Sequence, residues 1–229
     1  FSSINAVFKN KAAVLIVDYL LSKGLLIALE NKEFDFLHTT SEAVRRMSEG
    51  ELLQIQKARN FDSTEETYFK VISDKTASLI KTCCKLATDI KIGEDDETKI
   101  DFEDADKIKR LSEFGENLGI AFQLRDDLLD YVGRKKLLGK SPGNDVKEKK
   151  FTLPLIYALE HGPKSDSKKI VNLIKGKKGN VLKEVYDFVS DNGGLSYTED
   201  KIMEYSKAAM ESICVFPETN SKNSLKQLV

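Results

Sequence analysis

Apolar positions recur along most of this chain at the three- and four-residue spacing of helices, and no run shows convincing strand alternation. Residues 6–30 read as one long apolar helix. Within it, AAVLIVDYLLSKGLLIAL (Ala12–Leu29) is nearly long enough to span a bilayer. Asp18 and Lys23 interrupt it, which favours a buried core helix with Asp18 as a satisfied buried polar group. Ser41 is placed to cap a second helix carrying Ala43, Val44, Met47, Leu52 and Ile55. Ser63-x-x-Glu66 fits a capping box that opens a helix through Tyr68, Val71, Ile72, Leu79 and Leu86. A long helix is expected from about Glu103 to Tyr131, where Gly115 and Gly119 would let another helix approach closely.

The intervening segment Gly93–Asp104 is acidic and poor in apolar residues, so it reads as a solvated loop. Gly133–Lys150 is a basic loop with Gly and Pro. Thr152-Leu153-Pro154 starts the next helix, because proline is tolerated in a first turn. Asn192-Gly193-Gly194 ends a helix around residues 180–191, and a final pair covers roughly 197–214 and 221 onward. The pattern is that of a single all-α domain over residues 1–229, helix packed on helix.

Charge narrows the function. The 36 Lys and Arg nearly balance 37 Asp and Glu, leaving a formal net charge of −1, which argues against a general binder of nucleic acid or membrane surface. Cys83, Cys84 and Cys214 form no ligand spacing with His38 or His161, so a zinc site is not indicated. Three buried thiols in a reducing cytoplasm are expected instead. Nothing at the start of the chain resembles a signal peptide.

The chemistry gathers in FQLRDDLLD (Phe122–Asp130). On a helix Asp126 and Asp130 share one face with Gln123, while Asp127 is rotated away by about 100°. Two carboxylates one turn apart suit a hard divalent cation, which also relieves their repulsion. Mg²⁺ takes one or two carboxylates, water and substrate phosphate oxygens. The plain alternative is a solvated edge in which Arg125 or Arg134 pairs with one aspartate. The lysines that follow, among them Lys135, Lys136, Lys140, Lys147, Lys149 and Lys150, favour the metal, since cations beside it suit an anionic phosphate substrate.

The strings GENLGIAFQLRDDLLDYVG and GKSPGNDVKEKKFTLPLIYAL resemble the second aspartate-rich region of the trans-polyprenyl diphosphate synthases. NAVFKNKAAVLIVDYLLSKGL, MSEGELLQIQKA, YFKVISDKTASLIKTCC and FVSDNGGLSYTEDKIMEYSKAA follow in that family's order. The resemblance implies an isoprenoid synthase fold, an all-α bundle around a deep cavity, acting as a homodimer in the cytoplasm. It implies a Mg²⁺-dependent prenyltransferase that condenses isopentenyl diphosphate with an allylic diphosphate, head to tail, into an all-trans polyprenyl diphosphate of medium to long chain. Such a product would give loose membrane association. No nucleic-acid partner is implied.

By the same resemblance Asp126 and Asp130 are metal ligands, and Asp127 sits behind them or binds through water. Lys75 grips the leaving diphosphate, while Thr76 and Gln123 line the allylic cation. Lys140 and Lys150 close on the diphosphate, although Lys147 and Lys149 leave the register of Lys150 open by a residue. Gln54 is either a cavity-lining group or an ordinary amide. The family's first DDxxD, its following arginines and its basic tail have no counterpart here. The expectation is therefore of a longer protein whose N-terminal part and tail lie outside these 229 residues. A non-catalytic subunit of a hetero-oligomeric synthase is the alternative.

Overall fold

The computed structural model describes residues 4–61, 63–89, 105–132, 143–176 and 181–229, all helix and connecting turns with no strand among them. The chain divides into two compact units, Phe1–Glu42 and Ala43–Val229. In the first, helix α1 (Ile4–Glu30) ends in a reverse turn where Glu33 N donates to Ala28 O and Lys32 N to Leu29 O, with Lys32 left-handed at φ 59°. This unit corrects two expectations. The apolar surface of α1 is not buried: Val14, Leu15, Leu20 and Leu26 are each more than half exposed, and Asp18 is exposed rather than a buried polar group. Its residues Asn10–Glu30 are long and apolar enough to cross a membrane by length and composition, and only 11% of that apolar window is buried. The physical reason is supply: a short unit has too little of its own apolar surface to cover both sides of a long helix.

Helix α2 (Phe34–Asn60) starts earlier than Ser41 and passes from the first unit into the second. Thr64, not Ser63, caps α3 (Glu65–Ile72): its extended backbone lets Oγ1 accept the Thr67 amide at 3.2 Å. The helix then widens into a π-turn, Ser73–Ala77, before continuing as α4 (Ser78–Asp89). The π-turn is pinned from both sides. Arg46 Nε and Nη2 donate to the buried Asp74 Oδ1 at 2.9 and 2.7 Å, and Ser78 Oγ donates to Asp74 O at 2.6 Å.

Helix α5 (Ala105–Val132) is the spine of the second unit, packed between the π-turn with α4 on one side and a later helix, α10 (Gly194–Ser212), on the other. The small residues expected to admit a neighbour do so. A Cβ on Gly119 would stand 2.5 Å from Ala77 Cα, and one on Gly115 would stand 2.8 Å from Lys81 Cα. Ile120 and Leu124 of α5 enter a core completed by Tyr68, Ile72 and α7 (Leu153–His161). Between them runs the single turn α6 (Asn144–Lys147). Thr152 stands at the N-cap of α7 with proline in its first turn, as the sequence predicts.

The remaining elements are α8 (Lys164–Gly176), α9 (Val181–Asp191) and α11 (Asn220–Lys226). The sequence did not announce α8, whose apolar face is reduced to Ile170 and Ile174 one turn apart. The thiols also differ from expectation: Cys83 and Cys214 are exposed and Cys84 is half-buried. The acidic stretch and most of the basic loop, Lys140 included, lie outside the described residues.

Candidate functional site

Two stretches of the second unit line one cavity of about 550 Å³, and the π-turn touches its lining from behind. Glu51, Gln54 and Arg59 of α2 line one wall, and Glu148, Lys149 and Lys150 after α6 line another, with Phe61 between them. The π-turn joins through Lys75, whose Nζ donates to Gln54 Oε1 at 2.8 Å and pairs with Glu51 at 2.6 Å. Gly50 makes this approach possible, since a Cβ there would lie 2.9 Å from the Lys75 amide nitrogen.

Lys150 reaches the cavity because of how α6 ends. Lys150 N donates to Asp145 O and Lys149 N to Val146 O, a Schellman closure with Lys149 left-handed at φ 61°. Lys147 is exposed and outside the lining, whereas Lys149 and Lys150 are in it. Lys150 pairs with Glu148 at 2.5 Å. Burial works against its charge, but the Glu148 hydrogen bond and charge outweigh that and hold its pKa above the ordinary value. Phe61 carries the ammonium groups of Lys149 and Lys175 over its ring, at 5.4 and 4.8 Å from the centroid.

Because Gly119 lets α5 press on Ala77, Gln123 one turn later stands beside Thr76. A chain of hydrogen bonds follows. Thr76 Oγ1 donates to Gln123 Oε1 at 2.8 Å, Gln123 Nε2 donates to Asp127 Oδ1 at 2.8 Å, and Tyr68 Oη donates to Asp127 Oδ2 at 2.7 Å. Asp127 is only 6% exposed. Burial pushes its carboxyl up to about 7, against the pull of the Tyr68 hydroxyl, with the charge of Asp145 adding to the rise. Burial likewise raises the Tyr68 phenol well above its usual range.

The three aspartates thus have three different surroundings. Asp127 is committed to Tyr68 and Gln123. Asp130, also buried, accepts the amides of Asn144 at 3.2 Å and Asp145 at 3.0 Å, and its carbonyl accepts the Gly143 amide. It ties α6 to the end of α5. Asp126 is the half-buried one, three residues beyond Gln123 on the same face.

Among the described residues no three His, Cys, Asp or Glu side chains stand together as a cation cage. The donor set still suits one kind of cation. The half-buried Asp126 carboxylate offers a single hard oxygen ligand, which is how Mg²⁺ is held when phosphate oxygens and water complete its shell. The sequence therefore located Lys75, Thr76, Gln123, Asp127 and Lys150 on neighbouring elements, and Asp126 on the same helix. It missed Tyr68, Glu51 and Glu148. Tyr68 meets Asp127 across 59 residues of chain, and no local spacing signals such a contact.

Comparison with known proteins gives a consistent picture. A family profile described as polyprenyl synthetase matches residues 1–189. The octaprenyl diphosphate synthase of Escherichia coli K12 is 33% identical over 225 residues, covering 98% of this chain and 67% of the relative. A decaprenyl diphosphate synthase from Rhodobacter capsulatus superposes with a TM-score of 0.83 at 28% identity, over all of this chain and 68% of that one. A geranylgeranyl pyrophosphate synthase from Bacteroides thetaiotaomicron gives 0.79 at 32% identity, over 98% and 72%. The chain spans about two thirds of the length of these relatives.

Proposed function

The chain belongs to the polyprenyl synthetase family, and from that premise we propose that its cavity joins isopentenyl diphosphate to an allylic diphosphate, head to tail, extending an all-trans prenyl chain to medium or long length. The observation that carries this reading is that Lys150 lines the cavity while Lys75 holds two of its lining residues, Glu51 and Gln54, and is followed on the π-turn by Thr76, where the Thr76–Gln123–Asp127 chain begins. The ammonium groups of Lys75 and Lys150 bind the leaving diphosphate and stabilise charge as it develops on the departing oxygen. Lys75 exchanges its contacts with Glu51 and Gln54 for the ligand when it does so. The oxygens of Thr76 and Gln123 face the allylic carbon as it becomes positive; the double bond of isopentenyl diphosphate then attacks that carbon, and the resulting cation loses a proton to leave the new double bond. Asp126 is the residue that would hold Mg²⁺, which when bound shields the diphosphate charge and stabilises it on leaving.

We also propose a homodimer in the cytoplasm. Support for the dimer comes from α1, whose apolar residues Val14, Leu15, Leu20 and Leu26 lie uncovered and offer apolar surface to a second copy of the helix. Support for a reducing compartment comes from Cys83, Cys84 and Cys214, which are free thiols. A medium or long prenyl product is itself lipophilic, so release at a membrane surface follows from its chemistry.

The test uses the full-length natural protein with farnesyl diphosphate, labelled isopentenyl diphosphate and Mg²⁺, sizing the products against a Mg²⁺-free control. Metal-dependent elongation is expected. A folded protein that elongates nothing overturns the reading in favour of a non-catalytic subunit.

A further inference from the structure

The hydrogen-bond chain that ends at Thr76 has a direction, and that direction is set from behind. Thr76 has one hydroxyl proton, and it is given to Gln123 Oε1. What Thr76 keeps is lone pairs. Gln123 presents its carbonyl to Thr76 only because its Nε2 is held by Asp127 Oδ1. An amide is symmetric enough in shape to sit either way round, so packing alone cannot choose between the two orientations. In its charged form Asp127 makes the choice, since an ionised carboxylate accepts and does not donate. Tyr68 is buried, and its hydroxyl holds the other carboxylate oxygen at 2.7 Å. The end of the chain at Thr76 therefore presents oxygen lone pairs, its one hydroxyl proton being spent on Gln123, which is the polarity a carbocation requires.

We infer that Asp127 and Tyr68 are positioning residues for the condensation, acting through Gln123 to fix which atoms Thr76 and Gln123 present to the reacting allylic carbon. The inference rests on the prenyl-transfer reading. It assigns Asp127 to a task separate from the metal, and it brings in Tyr68, which belongs to no aspartate-rich motif.

Asp127→Asn provides an unusually direct test, because the network can survive it in reverse. Asparagine Oδ1 accepts from Tyr68 while its Nδ2 donates to Gln123 Oε1. Gln123 then turns over and its Nε2 donates to Thr76 Oγ1. Every buried group stays paired, but donors now face the cation. Tyr68→Phe keeps the acceptor at Asp127 and with it the orientation of Gln123, and only loosens the carboxylate. The full-length protein and the two variants are assayed for kcat, for KM of both diphosphates, for the Mg²⁺ concentration giving half-maximal rate, and for Tm. In Asp127→Asn, kcat should fall by about a hundredfold, the scale of one misdirected stabilising group. Both KM values, the Mg²⁺ requirement and Tm should hold or, for Tm, rise. Tyr68→Phe should cost about tenfold at most in kcat, the scale of one hydrogen bond. Adding Asp127→Asn to Thr76→Val should cost little more than Thr76→Val alone, since both act on the same atoms.

An unchanged kcat in Asp127→Asn overturns the inference, as do additive losses. A raised Mg²⁺ requirement overturns it too, and returns Asp127 to the metal site. If the unaltered protein elongates nothing, the prenyl-transfer reading itself has failed and the inference falls with it. If it elongates and Asp127→Asn matches it, the inference alone has failed.

Discussion

Exchanging Asp127 for asparagine removes a buried charge while preserving the side chain's shape, so it should make the protein more stable at neutral and alkaline pH. Burial raises the carboxyl from 3.8 to about 7, the hydrogen bonds from Tyr68 and Gln123 opposing it and the charges of Asp145 and Asp126 adding to it. Between those two values the folded chain keeps a proton that the unfolded chain has released. Stability therefore falls as pH rises through that window. Below about pH 4 both states are protonated and the group costs nothing; above about pH 7 both are charged and the cost is complete. At about 1.4 kcal/mol for each pH unit of separation, the wild type should lose roughly 4 kcal/mol relative to the variant across the window.

The assay is urea unfolding of both proteins in Mg²⁺-free buffer at intervals from pH 4 to pH 8. The quantity read is the difference between the two curves. Groups common to both proteins cancel in that difference, including Glu218, whose hydrogen bonds from Lys222 and Lys226 hold its carboxyl near 2. The gap should open steadily in favour of asparagine as pH rises. Parallel curves would refute the argument, because they would mean that Asp127 is charged in the folded protein at no cost. A gap opening in the opposite sense would mean that Tyr68 and Gln123 more than offset the loss of hydration.

Other outcomes follow from single contacts. Gly119→Ala drives a Cβ to 2.5 Å from Ala77 Cα, where only backbone can give way; it should cost about 2–3 kcal/mol in urea unfolding and lower kcat by parting Thr76 from Gln123. Lys32→Gly relieves a left-handed non-glycine residue and should raise the unfolding free energy by about 0.5–1 kcal/mol without touching activity. Leu15→Glu with Leu20→Glu on the exposed face of α1 should yield monomer in sedimentation velocity; a dimer that persists places the subunit contact elsewhere. Lys75→Met should raise KM for the allylic diphosphate by about tenfold or more, the scale of a lost charge-assisted contact, and leave that for isopentenyl diphosphate nearly unchanged.

What could be read in advance was whatever the chain encodes locally. The long helices follow from apolar spacing, the start of α7 from Thr152 and Pro154, and the α4–α5 contact from Gly115 and Gly119. The set Lys75, Thr76, Gln123 and Lys150 was legible because family motifs surround each residue. The misses lie where the deciding partner is remote or absent. Asp130 and Asp126 look alike on a helical wheel, and only the return of residues 143–145 brings the amides of Asn144 and Asp145 onto Asp130. Tyr68 looks like core until Asp127 arrives from 59 residues away. Helix α1 was expected inside, because an apolar sequence states that a surface will be covered and not by what.

The π-turn at Ser73–Ala77 can be understood as a phase correction. Tyr68 and Thr76 are eight residues apart, which on an unbroken α-helix would leave them roughly 80° out of alignment. One residue absorbed by the wide turn cuts that to roughly 20°, so both can address Gln123 and Asp127 on the same side of α5. Substitutions that let Ser73–Ala77 close as ordinary α-helix, with no residue removed, would leave a longer, more regular helix with better local hydrogen bonding. They would also swing everything upstream by about a third of a revolution, taking Tyr68 off Asp127 while Thr76 stayed in place. Regularity and function are in opposition at this point of the chain, and the irregular turn is the arrangement that lets one helix serve both ends of the relay.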